Sequence, residues 1–312
     1  MRNHSSVTMF ILLGLTNDPQ LEILIFVFLL ITYLSSIIGN MTIIVVILMD
    51  PHLKTAMYFF LQNFSFLEIS FTTACVPLYL YMISSGDKTI SIGACFSQIF
   101  FIVLFASTDF FLLAVMSYDR YVAICKPLHY VTIMNSKVCR ILIINCWLSG
   151  LLIISPPLGL TVQMEFCGSV IDHFACDASP ILKNSCSDTW FIEQLVVACA
   201  VLTFILTLVC VVISYISIIR MILRLPSVQQ RKKAFSTCSS HLIVVSLSYG
   251  SAIFIYVKPS AKDEVAMNKV VSLLATTVAP LLNPFIYTLR NKQVKESLYN
   301  TLKRFTFISK KE

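Results

Sequence analysis

Apolar residues in this chain of 312 residues neither alternate nor recur on one helical stripe; they run in long stretches broken by short polar segments. A hydrocarbon core about 30 Å thick needs about 20 apolar residues at 1.5 Å rise. Seven stretches meet that length: approximately 22–49, 55–83, 94–124, 140–161, 191–223, 236–257 and 266–289. The sixth is the weakest, since its apolar run begins only at Leu242. The pattern predicts an all-α membrane protein, a seven-transmembrane helix bundle, with no internal repeat or low-complexity linker, so that 1–312 form one domain. Residues 1–21 precede the bundle, 162–190 make a long loop and 290–312 a tail. In that tail Val294, Leu298, Leu302 and Phe305 recur at helical spacing among basic residues, which predicts a short amphipathic C-terminal helix lying on the membrane.

Composition agrees. Hydrophobic residues make up 57% and charged residues 12%, against about 25% charged in a soluble domain. The net charge of +7 sits at the ends of apolar segments rather than in one patch, which excludes a nucleic-acid binder. With the N-terminus outside, the inner face collects 17 of the 23 Lys and Arg residues, among them Lys54, Arg120, Lys126, Lys137, Arg140, Arg220, Arg224, Arg231, Lys232, Lys233 and Arg290. The outer face keeps six, Arg2, Lys88, Lys183, Lys258, Lys262 and Lys269. The positive-inside rule then sets N-out, C-in. Residues 1–20 mix polar and apolar positions, and the apolar run from Leu21 is too long for a cleavable signal, so it reads as a signal anchor. The sequon at Asn3 falls outside, where glycosylation is expected; those at Asn40 and Asn63 fall inside spans and are discounted.

Of eleven cysteines, Cys75, Cys146, Cys199 and Cys210 lie within spans, and Cys125, Cys139 and Cys238 approach the cytosol. Four remain on the oxidising side: Cys95 at the outer end of span three, and Cys167, Cys176 and Cys186 in the long loop. They favour disulfides over a zinc site with His173, and four cysteines permit three pairings.

Ionisable groups at mid-bilayer cost at least ~2.5–3.5 kcal/mol, so each is a functional candidate. Glu68 lies thirteen residues after Thr55, about 20 Å into span two, and Asp109 eleven residues before Arg120, about 17 Å above the inner face. Asn283, followed by Pro284, sits about 11 Å from the inner end of span seven, where the proline permits a pivot. Such a cluster binds a cation such as sodium, shares a proton, or joins the helices. Arg120 closes span three at the cytoplasmic mouth, with a snorkelling arginine as the plainer reading.

Longer strings carry a resemblance. Asp119-Arg120-Tyr121, Asn283-Pro284-Phe285-Ile286-Tyr287 and Cys95 with the long outer loop resemble rhodopsin-type G-protein-coupled receptors. Met57-Tyr58-Phe59-Phe60-Leu61, MSYDRYVAICKPLHY from Met116, HFACD from His173, KAFSTCSSHL from Lys233 and PLLNPFIYTLRN from Pro280 resemble olfactory (odorant) receptors. Ala56 stands where that family usually has proline and Ser117 where it usually has alanine; neither touches the switch residues. The resemblance implies pairs Cys95–Cys176 and Cys167–Cys186. It implies an activation switch of Asp119, Arg120, Tyr121, Tyr215, Asn283, Pro284 and Tyr287, and an ion or proton site of Glu68, Asp109 and Asn283; no cofactor is expected beyond a sodium ion that this site could hold.

It also implies an odorant site in the outer half of the bundle, projected onto Ile102, Val103, Ala106, Ser107, Cys199, Thr203, Tyr249, Ile253, Tyr256 and Thr276. That lining is apolar with a few hydroxyls and one thiol, which suits a small, weakly polar volatile and disfavours carboxylates and amines; Lys258 near the outer end of span six is the exception to watch. A ligand that favours outward displacement of the inner ends of spans five and six would expose Arg120 and the basic segment 231–233. The implied partners are the odorant, lipid and the stimulatory olfactory G protein, raising cyclic AMP, with residence in the plasma membrane of olfactory cilia. The alternative, a proton-coupled secondary transporter using Glu68 and Asp109, predicts inverted repeats and broken helices that the sequence lacks. An intramembrane hydrolase is disfavoured because His4, His52, His129, His173 and His241 lie outside the spans or near their ends.

Overall fold

The computed structural model describes residues 7–256, 264–290 and 292–308. Ten α-helices occur among them: α1 (Pro19–Met49), α2 (Ala56–Ser85), α3 (Ile92–Cys125), the single turn α4 (Tyr130–Ile133), α5 (Ser136–Thr161), the short α6 (Ala178–Leu182), α7 (Trp190–Arg224), α8 (Val228–Tyr256), α9 (Glu264–Arg290) and α10 (Lys292–Ile308). Each predicted span has its helix, and most run past the apolar stretch because polar residues cap them outside it. Asp18 accepts from Gln20 N at 2.9 Å ahead of Pro19, Ser91 from Ala94 N at 3.3 Å, and Asn135 from Val138 N at 3.0 Å, each side-chain oxygen satisfying an orphan N–H of a first turn. Gly86, at φ +72°, ends α2 in the left-handed conformation that a side chain would strain.

Six of the long helices are long and apolar enough to cross a bilayer. The exception is α8, whose apolar part is Cys238–Ile253. Its inner half is polar and basic, in line with the weak sixth span. Large side chains such as Leu24, Leu152 and Leu223 are exposed at 65%, 73% and 64%, as expected of a body whose solvent is lipid rather than water. Inside, one apolar cluster fills the inner half around Phe64, Leu113 and Val244, and a second fills the outer half around Phe10, Cys95 and Ile171.

The second cluster depends on a feature that the hydrophobic runs did not signal. Strands β1 (Met9–Leu12), β2 (Thr89–Ser91) and β3 (Val170–Ile171) form a sheet in the order β2-β1-β3, antiparallel on one side and parallel on the other. The N-terminal segment is therefore stitched between the first and second outer loops. Alternation along β1 turns Phe10 and Leu12 inward at 0% exposure.

Candidate functional site

At the outer mouth the four extracellular cysteines pair as Cys95–Cys176 and Cys167–Cys186, with Cα separations of 5.5 and 5.1 Å, so none is left for zinc. The first bond ties the long loop to α3 and is seconded by Gln98, which accepts from Cys176 N and donates to the Ala74 carbonyl, both at 3.0 Å. Leu15 N donates to Tyr79 Oη at 3.1 Å, joining the N-terminal segment to α2. Lys269 at the top of α9 is 8% exposed and donates to Asp172 at 2.5 Å and to the Gly14 carbonyl at 3.3 Å. Three helices thus hold one lid. His173 stacks on Phe174 and shares a 3.1 Å hydrogen bond with the Ala175 carbonyl. Burial pulls its imidazole below the ordinary 6.5, against the opposing charge of Asp177.

Beneath the lid, the expected odorant-site residues come from α3, α7, α8 and α9. Ile102, Val103, Ala106, Cys199 and Thr276 are half-buried, and Ser107, Thr203 and Tyr249 are buried. The Tyr249 ring packs 5.1 Å from Phe110 and 5.3 Å from Phe204. Ser107 Oγ donates to the Val103 carbonyl at 2.6 Å, Thr203 Oγ1 to Cys199 at 2.9 Å and Thr276 Oγ1 to Leu273 at 3.0 Å. Each hydroxyl proton is thus committed one turn back on its own helix, which leaves the oxygen as an acceptor. Ile253 does not join this group: it is 47% exposed, because the buried face of α8 passes through Val245, Tyr249 and Ala252. The Tyr256 side chain, Lys258 and Asn3 lie outside the described residues.

The polar core assembles as expected in part. Glu68 on α2 and Asn283 on α9 are 4% and 2% exposed, and Asn283 Nδ2 donates to Glu68 Oε1. Asp109 on α3 is near enough for its charge and that of Glu68 to act on each other. Asp109 Oδ1 and Asn283 Oδ1 are buried with no hydrogen-bond partner among the described residues. Asn40 Nδ2 donates to the Pro280 carbonyl at 3.2 Å, anchoring α1 to the proline-bearing stretch of α9. A Cβ on Gly39 would come within 2.9 Å of Pro284 Cγ, so only glycine lets these helices approach so closely.

At the cytoplasmic end Arg120, 5% exposed, donates through Nε to Asp119 Oδ2 at 3.0 Å and through Nη2 to the same oxygen. The other oxygen of Asp119 accepts from Tyr130 Oη at 2.8 Å. Burial first, then the charge of Asp119, raises the Tyr130 phenol above its ordinary 10.0, so it remains a donor at physiological pH. Tyr215 of α7 and His241 of α8 stack within 4° of parallel and share a 2.7 Å hydrogen bond. His241 lies near the inner end of the apolar part of α8, as expected, and is buried there at 4% exposure. Tyr287 is buried with its ring 6.2 Å from Phe64, and Tyr121 is half-buried with its ring 6.1 Å from Tyr118. Tyr130, His241 and Lys269 have site contacts that their sequence positions do not signal, although Tyr130 and His241 stand inside strings that carry the family resemblance.

A family model described as olfactory receptor matches residues 28–304. The chain belongs to the olfactory receptor family. The receptor is 67% identical to human olfactory receptor 6C2 and 64% to human olfactory receptor 6C68, each across 100% of both chains. Squid rhodopsin shares the fold at 16% identity, with a TM-score of 0.69 over 92% of the receptor and 87% of that chain. The receptor is a multi-pass, rhodopsin-like G-protein-coupled receptor that senses odorants, and it is not an enzyme. Membership displaces the transporter alternative.

Proposed function

We propose that the receptor binds a small, weakly polar volatile beneath the outer lid and activates a stimulatory G protein, raising cyclic AMP, in the plasma membrane of olfactory cilia. The observation that carries the coupling is the closed cytoplasmic lock: a buried Arg120 held by Asp119, itself held by Tyr130. A buried arginine paired to its neighbour is spent internally and offers nothing to a partner. A ligand that stabilises an arrangement in which this pair opens shifts the population toward the state a G protein can read.

The committed hydroxyls of Ser107, Thr203 and Thr276 refine the ligand class. A site of acceptors in apolar walls favours a ligand with one donor, such as an alcohol, over a ketone of equal size. The core of Glu68, Asp109 and Asn283 suits a sodium ion. Hard cations take oxygen ligands, and the buried Asp109 Oδ1 and Asn283 Oδ1 lack partners. A cation there would offset the cost of two nearby buried carboxylates. The test compares alcohol and ketone pairs of equal carbon number by nucleotide exchange on purified stimulatory G protein, with Thr203→Val beside the wild type. Losing one hydrogen bond of about 1 kcal/mol should weaken the alcohol about five-fold and leave the ketone unchanged. Equal effects on both would reject the acceptor assignment.

A further inference from the structure

Between the inner ends of α7 and α8 lies a cleft of about 550 Å³, lined by Ile222, Arg231, Lys232, Phe235, Ser236 and Ser239. Arg231, Lys232, Ser236 and Ser239 make the lining cationic and hydroxylated, and Ile222 and Phe235 make it partly apolar. Arg231 Nε donates to the Leu225 carbonyl at 2.9 Å, which fixes its guanidinium at the rim, so little side-chain freedom is lost when it meets an anion. The surrounding charge has one sign. Arg220, Arg224, Arg231, Lys232 and Lys233 fall within 220–233, and no Asp or Glu occurs between Glu193 and Asp263.

Beside the lining residue Ile222, α7 also carries Ile219 and Leu223. Leu223, Phe235 and Ile219 are exposed at 64%, 58% and 54%, more than a soluble anion would use. A phosphate-bearing headgroup with its acyl chains still in the inner leaflet matches both features. Basic clusters and basic pockets at the cytoplasmic ends of membrane helices have this chemistry.

We propose that the cleft is a binding site for the phosphorylated headgroup of an anionic inner-leaflet lipid of the phosphoinositide class. Arg231 and Lys232 take the phosphates, Ser236 donates to a remaining oxygen while the Ser239 hydroxyl is committed to the Ser236 carbonyl at 3.1 Å, and Leu223, Phe235 and Ile219 lie along the acyl chains. A lipid seated there stands between α7 and α8, so its occupancy bears on their separation. The site needs neither odorant nor G protein, so it stands or falls apart from the reading of the odorant pocket.

The full chain is placed in phosphatidylcholine nanodiscs containing a few mole per cent of a fluorescent, doubly phosphorylated phosphatidylinositol, and bound lipid is titrated without agonist or G protein. Arg231→Gln with Lys232→Gln is compared with Lys137→Gln with Arg140→Gln, two exposed cytoplasmic cations at the start of α5. Each cation that touches the phosphates contributes about five-fold, so the cleft pair should weaken binding roughly 25-fold, and the control pair, which lies outside the cleft lining, no more than about two-fold. All four residues are exposed, and thermal melting of both variants is the check that they fold. Equal losses in the two variants would mean a diffuse basic field and overturn the site. Soluble inositol trisphosphate competing at the lipid's own affinity would also overturn it, since the acyl contacts would then contribute nothing.

Discussion

Replacing Tyr130 by Phe should raise signalling without ligand. The substitution keeps the ring and deletes one hydrogen bond, the 2.8 Å contact from Tyr130 Oη to Asp119 Oδ1. A hydrogen bond to a charged group contributes about 1.5–3 kcal/mol. Tyr130 is half-buried, and water replaces part of what is lost, so the low end applies. At 1.4 kcal/mol per factor of ten, the closed state loses about ten-fold of its advantage. If about 1% of receptors are open at rest, a typical minor population, about 10% should be open in the variant. The assay is basal cyclic AMP in cells with equal surface display, beside Asp119→Asn and the double variant. The two residues are in direct contact, so the effects should not add. Unchanged basal signal in Tyr130→Phe, or the same increment with Asp119 already replaced, would refute the lock as drawn.

A Cβ on Gly150 would meet Thr108 Oγ1 at 2.5 Å and the Leu104 backbone carbonyl at 3.2 Å; Gly150→Ala should therefore cost about 1–3 kcal/mol by overpacking α5 against α3, read as a lower melting temperature in detergent. Cys95→Ser removes the tie between the long loop and α3 and should cost about 2–5 kcal/mol, seen as loss of surface display. Burial holds the His173 imidazole below 6.5, so an opened lid binds a proton below that pH that the closed lid refuses. The contribution is complete above pH 6.5 and shrinks as pH falls below it; hydrogen exchange across β1 and β3 should speed up there, and His173→Gln should abolish the trend. Sodium chloride in place of choline chloride should raise the melting temperature of the wild type but not of Asp109→Asn, and equal responses would remove the cation from the core.

Six of the spans were legible because each is written as one contiguous apolar run, and the sixth was weak because only Cys238–Ile253 of α8 is apolar and its inner half is polar and basic. The polar core was legible for the same reason: Glu68, Asp109 and Asn283 are costly where they stand, and depth along a helix follows from residue count. Partnerships across helices were not. Ile253 lies one turn from Tyr249 and was expected beside it, yet the buried face of α8 turns away before it. Lys269 counted only as an outer cation until β1 and β3 brought Gly14 and Asp172 to it. Strand β1 has four residues, too few for periodicity to show, and its paired residues lie in loops 78 or more positions away. Tyr130 and His241 are ordinary members of family strings until the fold sets one against Asp119 and the other against Tyr215.

The most direct test of the whole account is cyclic AMP in cells expressing the receptor with the olfactory stimulatory G protein, screened against a broad volatile panel beside Arg120→Ala at matched surface display. A saturable response to at least one neutral, weakly polar volatile is expected, with its loss when Arg120 is replaced. An undiminished response in the Arg120 variant would contradict the claim that the buried arginine is what ligand binding releases to the G protein.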